Sequence, residues 1–366
     1  MDSRSGIFNI TDDFFNIAPF SLQESEKDKV FLDSMCELTD FHRMNCVEYS
    51  RIISYLSESR DWNFSDLDGI PYVPVRLFKH LELRSIREDQ VFKIMHSSGT
   101  SGQSPSKIYL DKSNAKIQSE ILAKLFKEFI PLDRPPLLII DSQETVKNRN
   151  TFSARAAGIL GFSFLGRDVT FALKSDMSLD IETINHFFEK YEGKSILIFG
   201  FTSIIWEYLL TKSEFQGLGI QLEDSYLLHG GGWKKLESLN VDNDAFKEKV
   251  KRFLGIASVV NYYGLVEQTG SIYFECENGY FHTSVFSNLI IREEKSFNPE
   301  KISSPGIIQL QSVLPRSYPG HSILTEDLGI IFGVDDCPCG RLGQRFKVYG
   351  RIPNAEIRGC SDAHGG

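Results

Sequence analysis

Between residues 91 and 264, short apolar runs alternate with polar or glycine-rich loops and helical stretches, and this alternation restricts the fold more than any other feature. The apolar run 91–95 leads into a Ser/Gly/Thr loop and a second strand, 107–110. A helix over 113–129 follows, with Ser113 as its N-cap. Residues 137–140 form a buried-type strand ending in Asp141, and 152–165 holds the small-residue run Arg155-Ala156-Ala157-Gly158. A helix over 179–191, a strand over 195–199 and a helix around 203–210 come next. Residues 226–228 run into His229-Gly230-Gly231-Gly232, and the strand 259–263 stops at Gly264. Such alternation predicts α/β sheets covered on both faces, with ligands gathered at the strand ends. After Tyr273 the pattern is mainly β, at 280–284, 289–292, 306–311 and 330–333, which predicts a smaller β-rich subdomain. Residues 1–66 read as helical, with helical spacing over 22–38 and 46–56, whereas 71–78 reads as extended.

Composition removes several function classes. Forty basic residues against forty-nine acidic ones give a formal charge of −9, a poor balance for binding nucleic acid. No apolar run reaches the roughly 18 residues of a membrane span. The first residues lack the cationic-then-apolar order of a secretory signal, so a cytoplasmic address is expected. In that compartment the six cysteines, at 36, 46, 276, 337, 339 and 360, are expected as thiols or metal ligands.

Four segments carry possible chemistry. The loop from His96 to Lys107 contains Ser97, Ser98, Gly99, Thr100, Ser101 and Gly102. Its glycines permit a tight turn of inward N–H groups, and its hydroxyls and lysine add donors, so it has the composition of a phosphate cradle. It lacks the Gly-Lys-Ser/Thr end of the common phosphate loop, and the same composition serves an ordinary connector. The second segment, Tyr262-Tyr263-Gly264-Leu265-Val266-Glu267, pairs an aromatic suited to stacking on a base with a carboxylate suited to Mg²⁺; an exposed turn reads the same way. In Thr325-Glu326-Asp327-Leu328-Gly329 an acidic residue precedes a turn glycine, as a ribose-binding carboxylate or a plain β-turn would have it. Tyr349-Gly350-Arg351 offers a guanidinium for phosphate or ribose.

In this order the four segments resemble the adenylate-forming enzymes over most of residues 70–360. The nearest resemblance is to the acyl-protein synthetases of bacterial bioluminescence fatty-acid reductase complexes. It is carried by residues 71–79, 96–107, 229–235, 262–270 and 337–362. Phenylacetate–coenzyme A ligases are similar at a greater distance. The resemblance implies the N-terminal domain fold of adenylate-forming enzymes. It implies that Ser97, Ser98, Gly99, Thr100, Ser101, Gly102 and Lys107 hold ATP phosphates. Gly230, Gly231 and Gly232 then contact adenine, Tyr263 beside Gly264 stacks on it, Glu267 ligates Mg²⁺, and Asp327 and Arg351 bind the ribose side. Residues 200–204 fall where the family places part of the acyl pocket, and 152–164 adds apolar wall.

Larger adenylate-forming enzymes continue past the Gly-Arg motif into a mobile domain with a catalytic lysine. The sequence ends at Gly366, so neither is expected here, and Lys107 and Arg351 become the candidates for stabilising the reacting phosphorus. The tail carries Cys360 in Arg358-Gly359-Cys360-Ser361-Asp362. From Gly350 an extended chain reaches about 30 Å to it. Arg358 favours the thiolate of a group that titrates near about 8.5 when free. The resemblance makes Cys360 the acyl acceptor; without it, an idle terminal cysteine reads equally well.

Cys337-Pro338-Cys339, with Cys276 and His282 six residues apart, offers three sulfurs and one imidazole, a valid structural zinc set; buried thiols beside a surface histidine are the alternative. Cys36 and Cys46 read as core or incidental, and the other histidines have no nucleophile or carboxylate at a telling spacing. No Gly-x-Ser-x-Gly elbow follows a strand, which argues against Ser-His-Asp hydrolysis.

The resulting expectation has three parts: a helical segment over 1–70, an adenylation core over 71–349, and a tail over 350–366. The core forms an acyl-adenylate from ATP, Mg²⁺ and a fatty acid, and the acyl group passes to Cys360. The resemblance implies an acyl reductase subunit as partner and brings in an acyl transferase as a second. Two other readings stand beside this one: a ligase that uses free coenzyme A, and a non-catalytic acyl- or nucleotide-binding subunit.

Overall fold

The structure is a computed structural model that describes residues 14–57, 64–97, 105–147, 154–212, 219–232, 236 and 241–352. Two helices open the chain, α1 (Glu24–Asn45) and α2 (Val47–Ser57). The two-residue strand β1 (Val73–Pro74) runs straight into a 3-10 turn, Val75–Lys79, so the stretch 71–78 is only half extended. It is too short for its residue period to separate the two states. Strands β2 (Lys93–His96) and β3 (Lys107–Leu110) precede α3 (Lys112–Phe129). Asp111, not Ser113, caps α3: its Oδ1 accepts from the Asn114 N–H at 2.7 Å, which satisfies one of the orphan donors of the first turn.

β4 (Pro136–Ser142), α4 (Glu144–Lys147), α5 (Ala154–Ser163) and β5 (Arg167–Leu173) follow. β5 escapes the sequence pattern because it is an edge strand, and its first three residues are exposed. Next come α6 (Ile181–Lys190), β6 (Leu197–Phe201) and α7 (Thr202–Ile205), the last continued by a π-helical turn, Trp206–Leu210. Then follow β7 (Tyr226–Gly230), α8 (Asn243–Leu254) and β8 (Ser258–Tyr263). The remainder is β: β9 (Tyr273–Phe274), β10 (Phe281–His282), β11 (Ser287–Arg292), β12 (Gly306–Ser312), β13 (Ser322–Val334) and β14 (Gln344–Arg351).

The described residues fall into two compact units. The first is built from the described parts of Met1–Met95, Ser104–Leu125 and Gly264–Glu356. Its main sheet runs β10-β14-β13-β12-β11, all antiparallel, with β1 added in parallel to β13. The N-terminal helices belong to this unit and are tied to the sheet by buried polar contacts. Lys27, 1% exposed, pairs with Glu24 at 2.7 Å and donates to the Ser287 carbonyl at 3.3 Å. His42 and His321, both fully buried, stack with centroids 4.9 Å apart. His42 Nδ1 lies 2.7 Å from Ser85 Oγ, and His321 Nε2 lies 3.0 Å from Thr39 Oγ1. Burial pushes His42 down to about 3, so the pair sits neutral in the core.

The second unit is built from the described parts of His96–Gln103 and Phe126–Tyr263. Five of its strands lie side by side in the order β5-β4-β6-β7-β8, all parallel. Every residue of β4 and β6 is buried, as parallel strands covered on both faces require. After β5 the chain returns to the other side of β4 to lay down β6. The switch of direction therefore falls between β4 and β6, and the crevice at their carboxyl ends is where open α/β sheets hold ligands.

Candidate functional site

In the second unit the carboxyl ends of the strands carry a distinct set of side chains. The last two residues of β4 are Asp141 and Ser142, and the Asp141 carboxylate is 1% exposed and pairs with Arg155 of α5 at 3.0 Å. Thr145 Oγ1 donates to Asp141 Oδ1 at 2.6 Å, and Arg155 donates to Thr145 at 2.8 Å. Sequence reasoning noted Asp141 only as a strand end. The small residues after Arg155 have a packing reason. A Cβ on Gly158 would meet Phe201 Cζ at 3.0 Å, so α5 approaches the end of β6 closely. Across the switch point, Phe201 leads into Thr202, within the stretch 200–204 expected at the acyl pocket. Thr202 Oγ1 donates to the Gly230 carbonyl at 3.1 Å and lies 2.9 Å from His229 Nδ1. Burial pushes His229 down to about 3, so it serves here as a neutral hydrogen-bonding group.

The glycine run has a local cause as well. In register, Gly230 stands beside Tyr262, and a Cβ on Gly230 would lie 2.4 Å from that ring. Tyr262 packs inward on Phe162, centroids 4.9 Å apart, which places Phe162 of the expected apolar wall in the core. Tyr263, the next residue on the strand, faces the opposite side of the sheet and is half-buried. Gly231 and Gly232 are exposed. Ser97, which follows β2, is 5% exposed. Ser98, Gly99, Thr100, Ser101, Gly102 and Cys360 lie outside the described residues.

The first unit brings together two pairs of the expected site residues and their neighbours. Glu267, in the 3-10 turn Val266–Gln268, is 1% exposed, and its Oε1 accepts from Ser106 Oγ at 2.6 Å. The carboxylate expected to hold Mg²⁺ is thus fastened to the last residue before Lys107, which opens β3 and is exposed. Ser106 lay inside the quoted loop, but its type alone gave no signal of this role. Carboxylate oxygen is the donor a hard divalent cation takes, so Glu267 fits that part. Asp327 and Arg351 are direct partners across β13 and β14, with Arg351 Nε 3.7 Å from Asp327 Oδ1. Both side chains are mostly covered, at 13% and 20% exposure. The adjacent Glu326 accepts from Arg76 Nε, which ties the segment after β1 to the same strand; Arg76 and Glu326 were not anticipated.

Cys276, His282, Cys337 and Cys339 also converge in this unit, with their donor atoms all within 4.8 Å of one another. Burial pushes the Cys337 thiol up to about 12, raises Cys276 and lowers His282 to about 4. Among the described residues, no helix is long and apolar enough to cross a membrane.

Known proteins agree with this architecture. The chain is 21% identical over 307 residues to the long-chain-fatty-acid–luciferin-component ligase of Vibrio harveyi, covering 81% of this chain and 77% of that protein. Among solved structures it resembles 2-hydroxyisobutyryl-CoA ligase in an open conformation with 2-HIB-AMP and CoA. The TM-score is 0.69 at 14% identity, over 93% of this chain and 79% of the other. The same ligase in its thioesterification state gives a TM-score of 0.68 at 14% identity, over 93% and 71%. The fold is therefore that of the adenylate-forming ligases. The model of the acyl-protein synthetase family LuxE matches residues 3–365, and the chain belongs to that family.

Proposed function

We propose that the protein activates a long-chain fatty acid with ATP and carries the acyl group as a thioester on Cys360. A carboxylate is a poor electrophile because its leaving group would be oxide. Attack of a carboxylate oxygen on the α-phosphorus of ATP expels pyrophosphate and leaves a mixed anhydride whose leaving group is AMP. The Cys360 thiolate then attacks the acyl carbon, the C–S bond forms, and AMP departs with the electron pair of the C–O bond. The observation that carries this reading is the buried Ser106–Glu267 hydrogen bond, which couples the base of the Ser/Gly loop to the acidic residue of the Tyr-Gly-x-x-Glu segment.

In this reading Ser97, Ser98, Gly99, Thr100, Ser101, Gly102 and Lys107 surround the phosphates. Mg²⁺, held by Glu267, neutralises phosphate charge when bound. Gly230, Gly231, Gly232, Tyr263 and Gly264 flank the base, and Asp327 and Arg351 take the ribose side. Asp327 accepts from ribose hydroxyls while Arg351, 3.7 Å away, holds its carboxylate in place. Helices α1 and α2 brace the β-rich unit, 71–349 perform the adenylation, and 350–366 present the thioester to an acyl reductase.

The test mixes full-length protein with ATP, Mg²⁺ and radiolabelled fatty acid, then runs a denaturing gel with and without neutral hydroxylamine. The expected result is an ATP-dependent, hydroxylamine-labile band that is absent from Cys360→Ser. Pyrophosphate release that needs coenzyme A and leaves no protein-bound label would overturn self-acylation in favour of a coenzyme A ligase. Nucleotide binding with neither signal would leave a binding subunit.

A further inference from the structure

Three of the four clustered donors sit on a repeated local motif, and the fourth, His282, lies on β10. Cys276-Glu277-Asn278-Gly279 and Cys337-Pro338-Cys339-Gly340 are both Cys-x-x-Gly turns. In each, the glycine N–H donates to the cysteine carbonyl, at 2.9 and 3.0 Å, and the glycine has positive φ, +76° and +79°. A side chain would strain that conformation. The two turns face each other, with Arg341 beside the second paired to Glu277 of the first at 3.0 Å. Cys276 Sγ lies 3.9 Å from Cys337 Sγ, and Cys339 Sγ lies 3.4 Å from His282 Nε2. A tetrahedral zinc ion, with Zn–S of about 2.3 Å and Zn–N of about 2.05 Å, sets S···S at about 3.8 Å and S···N at about 3.6 Å. A disulfide brings its sulfurs to about 2.05 Å. These two separations match ligands of one ion, and all four donors lie within 4.8 Å of one another.

The position of the cluster gives the ion a task. Cys337 and Cys339 lie in the connection between β13 and β14, and His282 lies on β10, in register with Arg345 of β14. At its other end the β13–β14 pair carries Asp327 opposite Arg351. Between these ends the register shifts twice, at Leu328/Gly329 and at Ile331/Gly333. A ladder with two irregularities holds its register less strongly by itself, so a fixed turn has leverage over it.

We propose that Cys276, His282, Cys337 and Cys339 bind one structural zinc ion, and that this ion clamps the β13–β14 turn to β10 and thereby keeps Arg351 aligned with Asp327. Loading is balanced by proton release: three thiols become thiolates, three protons leave, and the imidazole binds neutral. Arg341 offsets the remaining negative charge. The second half of the proposal rests on Asp327 and Arg351 being the ribose-binding pair.

The test uses full-length protein. Metal analysis should find about one zinc per chain. Exchange into cobalt(II) should give the visible d–d and thiolate-to-metal bands of a tetrahedral site. Cys337→Ser and Cys339→Ser should each lose the metal, since each removes one of the four ligands of a closed tetrahedral set. Chelation followed by zinc return on the unmutated protein covers the case in which a variant fails to fold. Removing zinc should weaken binding of a fluorescent ATP analogue roughly tenfold, reversibly, an energy of about 1.4 kcal/mol. No zinc and no cobalt bands would overturn the site. A loaded site whose removal leaves nucleotide affinity unchanged would overturn the clamp. Metal-dependent nucleotide binding without acyl-adenylate formation would uphold the clamp and sink the adenylation reading, so the two fail separately.

Discussion

The two units bury polar groups in opposite ways. In the second, the parallel strands β4 and β6 are apolar on both faces, and buried charge is gathered at the strand ends, in Asp141 and Arg155. In the first, the antiparallel strands β11, β12 and β13 mix polar with apolar residues, yet most of the polar ones are covered too. Arg292, Gln309, Gln311 and Ser322 are all fully buried. They bond across the strands, Gln309 to Ser322 at 2.9 Å and Asn288 to Gln311 at 3.0 Å. Arg292 also donates to Gln309, and to the carbonyls of Phe297 at 2.9 Å and Asp68 at 2.7 Å. Gln311 reaches the Leu67 carbonyl at 2.8 Å. An alternating strand ordinarily shows its polar face to water; here the segment after α2 supplies backbone partners instead. The lesson is that a satisfied polar layer can be as dry as an apolar one, but it depends on partners far away in the chain.

That contrast can be broken experimentally. The largest effect is expected at Arg155. Arg155→Met leaves the Asp141 carboxylate buried without its cation and should cost about 3–5 kcal/mol in urea unfolding. Adding Asp141→Asn should recover much of the loss; a double variant no better than the single one would show that the pair does not act as a unit.

Acid should affect both units through their buried histidines. His42 in the first and His229 in the second are held near 3 by burial, against 6.5 when free. The unfolded chain therefore takes up the proton first. Stability that is complete above pH 6.5 should fall as pH drops toward 3, by about 1.4 kcal/mol per pH unit for each histidine. His42→Gln and His229→Gln should each flatten the slope of unfolding free energy against pH by one proton. An unchanged slope in either would contradict its neutral burial.

A smaller effect is expected for Arg292→Met. It leaves neutral partners orphaned, not an opposite charge, so about 1–3 kcal/mol is expected, less than for Arg155. Equal losses at Arg155 and Arg292 would erase the distinction between the two kinds of burial. The smallest change is Asp242→Ala. Asp242 Oδ1 caps α8 by accepting from the Ala245 N–H at 2.8 Å, and its loss should cost about 1 kcal/mol in thermal unfolding.

Much of the second unit was legible because parallel strands are continuous apolar runs: β4, β6, β7 and β8 all fall where such runs stand. β5 was not, since its exposed first half, Arg167-Asp168-Val169, carries no such run. Likewise β14 begins with Gln344-Arg345, whose side chains are fitted to partners and not to an apolar face: Gln344 Oε1 accepts from the Leu289 N–H at 2.9 Å and Arg345 pairs with Asp336 at 2.7 Å. Of the candidate site, the residue types and their order were readable. The Ser106–Glu267 bond and the Asp327–Arg351 pairing were not, because each joins residues far apart in the sequence.

The sequence by itself determined most of the strand–helix alternation, the family, and the residue types and order of the four candidate segments. These are properties of local period and residue chemistry, complete within a few neighbouring positions. Only the tertiary structure decided that the N-terminal helices belong to the β-rich unit, that a polar sheet face is dry, and that four sulfur and nitrogen donors meet within 4.8 Å of one another. Each of these depends on strand register and on contacts across tens to hundreds of residues, and no local pattern encodes a distance in space.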